Sequence, residues 1–554
     1  YYRPSTLPTS LDRLPPSVPE GSKRDKNMLN WVWENTLSYT TVIKDVHNLS
    51  AIAGWTAQKE SVNTSLLAGN GYPNDLVHTM NAASAITNWS ATAYEWSLLS
   101  ALARVQYSYK GKYLLSAAAR MDGSSRFGKN NRWGMFPSAS AGWYISEEDF
   151  MKDIKWLTSL KLRASYGISG NFNIGNYEYY ATLSEDNYVF GKADGTLASG
   201  LRPATAGNPD LGWEKTAMFN LGLEIGLFNM LTLELDLYNS NTTDMLLNVP
   251  VAEFSGFSTV PMNIGKVNNR GWEIALTSQK NFTKDFGYSF NANYATNTNE
   301  VKALGPGNAP IISTGSVDHA YYITKVGEPI GCYYLLVQDG IFSNEEELKK
   351  YPHFSNTQPG DFRFVDVDGD GVMDLDKDRT IVGNYMPDFT YGFGGKVWYK
   401  GIDLDFNFQG VYGNEILNLN RRYIDNLEGN TNGTTIALNR WKSADNPGNG
   451  QVNRANRKSK GYNGRTSTWH LEDGSYLRLQ NVTLGYTLPQ NLTRRFFVEK
   501  LRVYVSGQNL WTSTNYGGYN PEVNARPSNS LSPGEDYGTY PLAKTFLFGL
   551  NITL

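Results

Sequence analysis

From Phe546 to Leu554 every second residue is large and apolar: Phe546, Phe548, Leu550, Ile552 and Leu554. Side chains alternate across a strand, so these five share one face, while Leu547, Gly549, Asn551 and Thr553 share the other. The pattern recurs upstream. Leu231, Leu233, Leu235 and Leu237 alternate with Thr232, Glu234, Asp236 and Tyr238. Phe219, Leu221, Leu223, Ile225 and Leu227 alternate with Asn220, Gly222, Glu224 and Gly226. Ile402, Leu404, Phe406 and Phe408 alternate with Asp403, Asp405, Asn407 and Gln409. Leu501, Val503 and Val505 alternate with Arg502, Tyr504 and Ser506. Each stretch has one face fit for hydrocarbon and one that is polar or charged. A soluble fold must bury such a face in a core, whereas an outer-membrane barrel turns it to lipid.

The connections choose between these destinations. Period-two alternation marks about fifteen strands. They lie near residues 30–45, 47–59, 91–109, 111–122, 134–146, 159–170, 213–228, 230–246, 262–280, 286–299, 384–400, 402–412, 474–488, 500–512 and 542–554. Connections after the first, third, seventh, ninth and eleventh are short: Val46, Lys110, Asn229, 281–285 and Gly401. Those after the second, sixth, tenth, twelfth and fourteenth are long: 60–90, 171–212, 300–383, 413–473 and 513–541. The fifth and thirteenth are intermediate, the fourth and eighth moderate. All long connections therefore leave from one end of the strands. A sandwich or propeller has no reason to segregate its loops, but an outer-membrane barrel does, with short periplasmic turns and long extracellular loops. The expected fold is all-β: a transmembrane antiparallel β-barrel with long extracellular loops. No run approaches the roughly 18 apolar residues a membrane helix needs.

An odd strand count places residue 1 outside, with Tyr1 to Lys26 in an extracellular loop. Bacterial single-chain barrels have even strand numbers. Residues 1–554 are therefore expected to be the C-terminal part of a barrel, with further strands upstream. About seven are needed if the whole is a ~22-stranded plugged barrel. The 35 Tyr, 24 Phe and 14 Trp suit aromatic girdles at the two interfaces with lipid. A net charge of −3 leaves no basic excess, so nucleic acid is not an expected partner. The single Cys332 excludes an intrachain disulfide.

The sharpest local motif lies in the longest connection: Asp366-Val367-Asp368-Gly369-Asp370-Gly371. Carboxylates at positions 1, 3 and 5 with glycine at 6 match the start of an EF-hand-type loop, whose oxygens wrap a hard cation. Position 12 is Lys377, so Asp376 or Asp378 must supply the closing carboxylate. The expected metal ligands are Asp366, Asp368, Asp370, Asp376 and Asp378, and the expected ion is Ca2+ or a similar hard cation. The plainer reading is an acidic loop whose Asp and Gly residues form turns.

Aromatic residues in the long connections are candidates to stack on sugar rings or peptides. Trp213, Tyr423, Trp441, Tyr462 and Trp469 stand first, with Tyr188, Tyr516 and Tyr519 beside them; the alternative role is to pack the loops together. No Gly-x-Ser-x-Gly elbow, P-loop or dinucleotide fingerprint is present. Five His residues show no metal-ligand spacing. The carboxylates Glu224, Glu234, Asp236, Asp403 and Asp405 read as lumen-lining charge rather than a glycosidase pair. No catalytic residue and no enzymatic activity are expected.

Several stretches together resemble the SusC/RagA family of TonB-dependent outer-membrane transporters. They are Arg120 to Gly128, Arg132-Trp133-Gly134-Met135-Phe136-Pro137-Ser138, Ala141-Gly142-Trp143 and Leu160 to Gly167 with Gly170-Asn171. Further on come Asn208-Pro209-Asp210-Leu211-Gly212-Trp213-Glu214, Pro359-Gly360-Asp361, Asp378-Arg379-Thr380 and Glu472 to Leu479. The tail adds Ser506 to Leu510 and Asp536 to Pro541. The resemblance covers the C-terminal half of that family. It implies a barrel of about 22 strands, with an N-terminal plug and a TonB box upstream of these residues. It also implies energising by TonB–ExbB–ExbD, a SusD-like surface lipoprotein as a hinged lid, and import of oligomers. The expected substrates are glycan oligosaccharides, with import of peptides, or a passive porin or surface-binding barrel, as alternatives. Two departures are visible. The acidic loop carries one extra residue before Asp378-Arg379-Thr380, and the last residue is Leu554 where the family often has an aromatic one.

Overall fold

Each long strand of the main sheet hydrogen-bonds to the next long strand in chain order, always antiparallel. The computed structural model describes residues 2–3, 18–191, 195–257, 259–317, 319–429, 432–457 and 463–554. Its main sheet has 17 strands, of which two, 2–3 and 298–303, are short. The long ones are β1 (Glu20–Ile43), β2 (His47–Asn70), β3 (Ala85–Tyr109), β4 (Tyr113–Ser124) and β5 (Trp133–Tyr144). There follow β6 (Leu157–Asn171), β7 (Glu214–Leu227), β8 (Leu231–Pro250), β9 (Thr259–Thr283) and β10 (Phe286–Ala295). The last are β11 (Phe389–Tyr399), β12 (Ile402–Tyr412), β13 (Tyr476–Thr487), β14 (Lys500–Thr514) and β15 (Thr545–Thr553). The predicted strands and the segregation of long connections to one end are both present. The edges of the sheet are β1 and β15, which do not pair with each other among the described residues.

Register turns the alternation of single strands into continuous walls. Leu162, Leu223, Leu235, Ile274, Tyr294 and Tyr391 stand side by side across β6 to β11. Val397, Leu404, Leu484, Val505 and Phe548 do so across β11 to β15. These side chains face outward; Leu162, Val397, Leu404, Leu484 and Phe548 are exposed, Phe548 at 80%, and the others are half-buried among their neighbours. A row of exposed leucine and phenylalanine is costly in water and natural against lipid. On the other face, Thr40, Ser50, Gln106, Ser116, Ser140, Ser165, Asn220 and Tyr238 form one row across β1 to β8. That wall suits a wet lumen.

Two lumenal ion pairs each reach over a middle strand. Arg163 on β6 passes above Gly222 on β7 to place Nη2 2.6 Å from Asp236 on β8. A Cβ on Gly222 would lie 2.6 Å from the guanidinium carbon. Arg502 on β14 crosses Gly485 on β13 in the same way and grips both oxygens of Asp403 on β12, at 2.9 and 2.6 Å. The bidentate fork fixes three strands together. At the short-turn end Tyr109, Tyr113 and Trp143 form a ring ladder, and Phe282, Phe286 and Tyr399 a second. This is an interfacial aromatic girdle.

Three sequence expectations are corrected. The strands expected at 30–45, 47–59 and 91–109 are longer, at 24, 24 and 25 residues. Residues 20–26 thus belong to β1, not to an outside loop. Spanning takes only about 9–11 residues, so the outer halves stand above the bilayer. There both faces are wet, and the ladder continues without the apolar alternation that marks a strand in sequence. The tenth strand stops at Ala295 and resumes at 298–303.

The largest fully buried side chains are not in the barrel wall. Tyr322, Tyr333, Leu335, Leu336, Ile416, Leu417 and Leu419 belong to the long connections and are essentially inaccessible. They pack as cores beneath small sheets: 311–314, 321–324, 332–336 and 379–383 form one, and 415–418, 471–473 and 535–536 another.

Candidate functional site

Three of the long connections, 296–388, 413–475 and 515–544, converge at Glu535 and Asp536. These two residues pair in parallel with Leu417 and Asn418. The fully buried Glu535 carboxylate accepts the Ser316 N–H at 2.8 Å and the Tyr322 hydroxyl at 3.3 Å. Asp536 accepts the Tyr516 hydroxyl at 2.6 Å and the Thr539 N–H at 3.2 Å. Burial, with these carboxylates alongside, pushes both phenols well above their usual range. Ser313 donates to the Leu531 carbonyl at 2.6 Å. Lumenal groups anchor the same loop: Arg478 on β13 pairs with Glu522, Gln409 on β12 donates to it at 3.1 Å, and the Tyr476 hydroxyl at 2.7 Å. The 515–544 connection therefore folds inward over the lumenal face of β12 and β13.

A second knot holds the middle loop. Asp361 is buried and accepts Arg454 Nε at 2.8 Å, Asn463 Nδ2 at 2.8 Å and the Gln358 N–H at 2.9 Å. The same Asn463 amide donates to Glu428 at 3.0 Å, and the Gly464 N–H donates to its other oxygen at 3.2 Å. Gly360 takes a φ of +89° with the Trp441 ring 2.5 Å from where a Cβ would stand, so only glycine fits.

Burial pushes the Glu428 carboxyl up to about 7. The unfolded chain releases this proton near its ordinary value and the folded loops hold it longer, so folding stability falls as pH rises through that interval. The fall is on the order of 3 kcal/mol at one side chain. His470 is wholly buried and held neutral, down to about 3, so it contributes the opposite slope below its ordinary value. Glu428→Gln is therefore expected to remove the loss of stability between about pH 4.5 and 7. Hydrogen exchange of the loop amides in the full-length protein checks this; an unchanged pH profile would contradict it.

The acidic loop divides the expected ligands. Ligand atoms of Asp366, Asp368 and Asp370 lie within 4.8 Å of one another. The Asp366 oxygens accept the Gly369 and Gly371 N–H groups, both at 2.8 Å, which hold the carboxyl below its usual range despite some desolvation. Lys377 Nζ stands 3.3 Å from Asp370. Asp378 is buried and turned into the loop, accepting the Val367 and Asp374 N–H groups at 2.9 and 2.6 Å. Asp376 points outward to Arg379 at 3.3 Å. The chemistry of the three clustered carboxylates fits a hard cation, and Lys377 is its competitor.

The aromatic candidates fall apart likewise. Trp213 is buried with Phe127, Phe136 and Leu211, and its Nε1 donates to the Arg132 carbonyl at 2.9 Å. It knots the 132–138 and 208–214 motifs together at the outer ends of β5 and β7. Trp441 and Trp469 pack on the loop core around Phe362 and Phe364. Tyr516 is buried. Tyr462 lies outside the described residues. Tyr423 faces solvent beside Tyr537, with ring centroids 6.2 Å and hydroxyls 3.3 Å apart. Tyr188 and Tyr519 are also exposed. Sequence reasoning missed Tyr537, Glu535 and the Asp361–Asn463–Glu428 network, although Asp361 stands in a motif that carried the family resemblance.

A family profile described as TonB dependent receptor-like, β-barrel, matches residues 1–324. TonB-dependent receptor P3 of Formosa agariphila is 34% identical over 95% of this chain and 52% of its own length. TonB-dependent receptor SusC of Bacteroides thetaiotaomicron is 33% identical over 84% of the chain and 44% of its own. The chain spans about half the length of the curated relatives it matches. The solved RagAB peptide transporter superposes with a TM-score of 0.83 at 28% identity, over all of this chain and 58% of that one. With its fifteen-strand antiparallel wall, lipid-compatible rows and loop assembly, the chain belongs to the TonB-dependent receptor-like β-barrel family, in its SusC/RagA-type branch of outer-membrane transporters.

Proposed function

We propose that the protein actively imports a nutrient oligomer across the outer membrane. The observation that carries this reading is the loop assembly anchored to the lumen wall through Glu522: a built, rigid surface at the wet mouth of a lipid-facing barrel. The unpaired edges of β1 and β15 are closed by strands outside the 554 residues, about seven in a ~22-stranded barrel. A plug and a TonB box accompany them and couple the barrel to TonB–ExbB–ExbD. A SusD-like surface lipoprotein closes over the loops.

The substrate class we favour is a glycan oligosaccharide. The uncharged hydroxyl and amide row from Thr40 to Tyr238 supports it, as do the solvent-facing rings of Tyr423 and Tyr537. Import of peptides is the second reading, favoured by the likeness to a protein described as a peptide transporter. Cells carrying the intact gene are offered labelled oligosaccharides and peptides, with and without collapse of the proton gradient. Gradient-dependent accumulation of an oligosaccharide is expected, reduced in a Tyr423→Ala/Tyr537→Ala variant. Accumulation of peptides alone would replace the glycan reading, and gradient-independent flux would favour a passive porin.

The Asp366, Asp368 and Asp370 carboxylates hold a hard cation that orders the loop, displacing Lys377 from Asp370. Elemental analysis of the purified full-length protein is expected to find one Ca2+-like ion per chain, lost in Asp366→Ala/Asp370→Ala. Absence of an ion from the unsubstituted protein would refute the assignment.

A further inference from the structure

The lumenal face of β8 to β11 is dented about ten residues above the short 284–285 turn, near the outer end of the roughly 9–11 residues that cross a bilayer. Beyond Ala295 the wall parts: 298–303 continues on β9, whereas β11 begins only at Phe389. At this level β9 carries Gly271, between the lumenal residues Asn269 and Glu273. The bare glycine lets the Tyr238 hydroxyl reach over from β8 and donate to the Thr296 carbonyl at 3.1 Å. A Cβ on Gly271 would collide with both groups. Beside this bridge a cavity of about 530 Å3 opens to the lumen.

The lining has two characters. Met218 and Pro387 are apolar, and Met218 is 41% exposed although it stands in the lumenal face. Ser240, Asn269, Glu273 and Thr390 supply hydrogen-bonding groups. Asn269 Oδ1 already accepts the Asn297 and Asn299 amides at 3.2 and 2.9 Å, which leaves its Nδ2 to donate. Glu273 is the one carboxylate of the lining, which holds no Lys or Arg among the described residues. Directly across the ladder from Glu273 stands Asp236, and Arg163 answers Asp236 at 2.6 Å. Among the described residues Glu273 has no cationic partner. Like charges facing each other across a ladder cost stability, so the fold keeps this carboxylate here at a loss. A pyranose unit has the same two characters, a C–H face and a hydroxyl edge, and two adjacent hydroxyls can donate to one carboxylate in charge-assisted bonds. A uronate or sulfated unit would instead set a further negative charge against Glu273 and Asp236, with no cation in the lining to meet it.

We infer that this pocket is a saccharide subsite in which Glu273 takes a neutral sugar unit through adjacent hydroxyls and rejects acidic ones. The inference rests on the glycan reading proposed above and adds which glycans qualify. The full-length receptor in mild detergent is titrated calorimetrically with neutral hexasaccharides of glucose, mannose, galactose or xylose, with hexauronates and with hexapeptides. The best neutral hexasaccharide is expected to bind at least about tenfold more tightly than any hexauronate. Glu273→Gln should weaken that neutral binding about tenfold, the loss of a charged acceptor, and abolish the preference over hexauronates. Thr390→Trp, which fills the pocket, should remove neutral binding altogether. The heat-dependent gel shift of the barrel checks that each variant folds, and Thr390→Trp decides if Glu273→Gln does not. Saccharide binding that is unchanged in the folded variants, or a preference for hexauronates in the unsubstituted protein, would overturn the subsite and leave the glycan reading standing. Binding of hexapeptides alone would overturn both.

Discussion

Leu235→Arg is expected to destabilise the barrel by about 2–4 kcal/mol, whereas Ser240→Arg, five residues along the same strand, should cost under about 1 kcal/mol. Leu235 stands in the outward row between Leu223 and Ile274. A guanidinium there must enter hydrocarbon or drag water after it. Ser240 stands in the opposite face beside Met218 and Asn269, where a long charged side chain stays in water. Two arginine substitutions in one strand thus differ chiefly in facing, with five residues of height between them. Urea unfolding of the full-length protein in lipid vesicles, followed by tryptophan fluorescence, reads both. Equal costs would mean that the faces of β8 are not lipid and lumen.

Asp361→Ala should loosen the loop assembly by roughly 3 kcal/mol, the lower end of the cost of removing one partner of a buried charge pair, because Arg454 keeps some access to water. The substitution strands Arg454 and one donor of Asn463, and it frees the Gln358 N–H. Only the loops should respond: protease cleavage within 413–475 should accelerate while the barrel keeps its gel shift and urea midpoint. Asp361→Asn, whose single amide oxygen can accept from Asn463 or from the Gln358 N–H but not from both, should restore only part of the protection. Equal cleavage of Asp361→Ala and the unsubstituted protein would remove this knot from the account.

How much of this was legible in the sequence depended on the solvent each residue meets. Within the bilayer, water, lipid and the pleat impose a two-residue period, so Leu231 to Leu237 and Phe546 to Leu554 could be placed by eye. Above the bilayer that constraint lapses. The outer halves of β1 and β2 read as polar loop although they are paired in register up to Glu20 and Asn70. Turn chemistry was legible where glycine and aspartate carry it, as in the Asp366 loop. The loop knots were not, because their partners are far apart in the chain: Asp361 meets Asn463, and Glu535 meets Ser316 and Tyr322. The motif residues that signalled the family prove to be such knots. Trp213 fastens one motif to another rather than greeting substrate, and Pro359-Gly360-Asp361 ties two loops together. A ring that packs and a ring that stacks on a sugar look alike in sequence; burial separates them.

The wall itself is the claim on which the rest stands, and spin labels read it directly. A nitroxide is placed in turn at Val503, Tyr504, Val505 and Ser506 of the full-length protein in lipid vesicles. Its collisions with oxygen and with a water-soluble nickel complex are then measured. Val503 and Val505 should be reached by oxygen from the lipid, and Tyr504 and Ser506 by the nickel complex from the lumen, alternating residue by residue. Access of the nickel complex to all four positions, or no alternation along β14, would contradict a membrane-spanning wall.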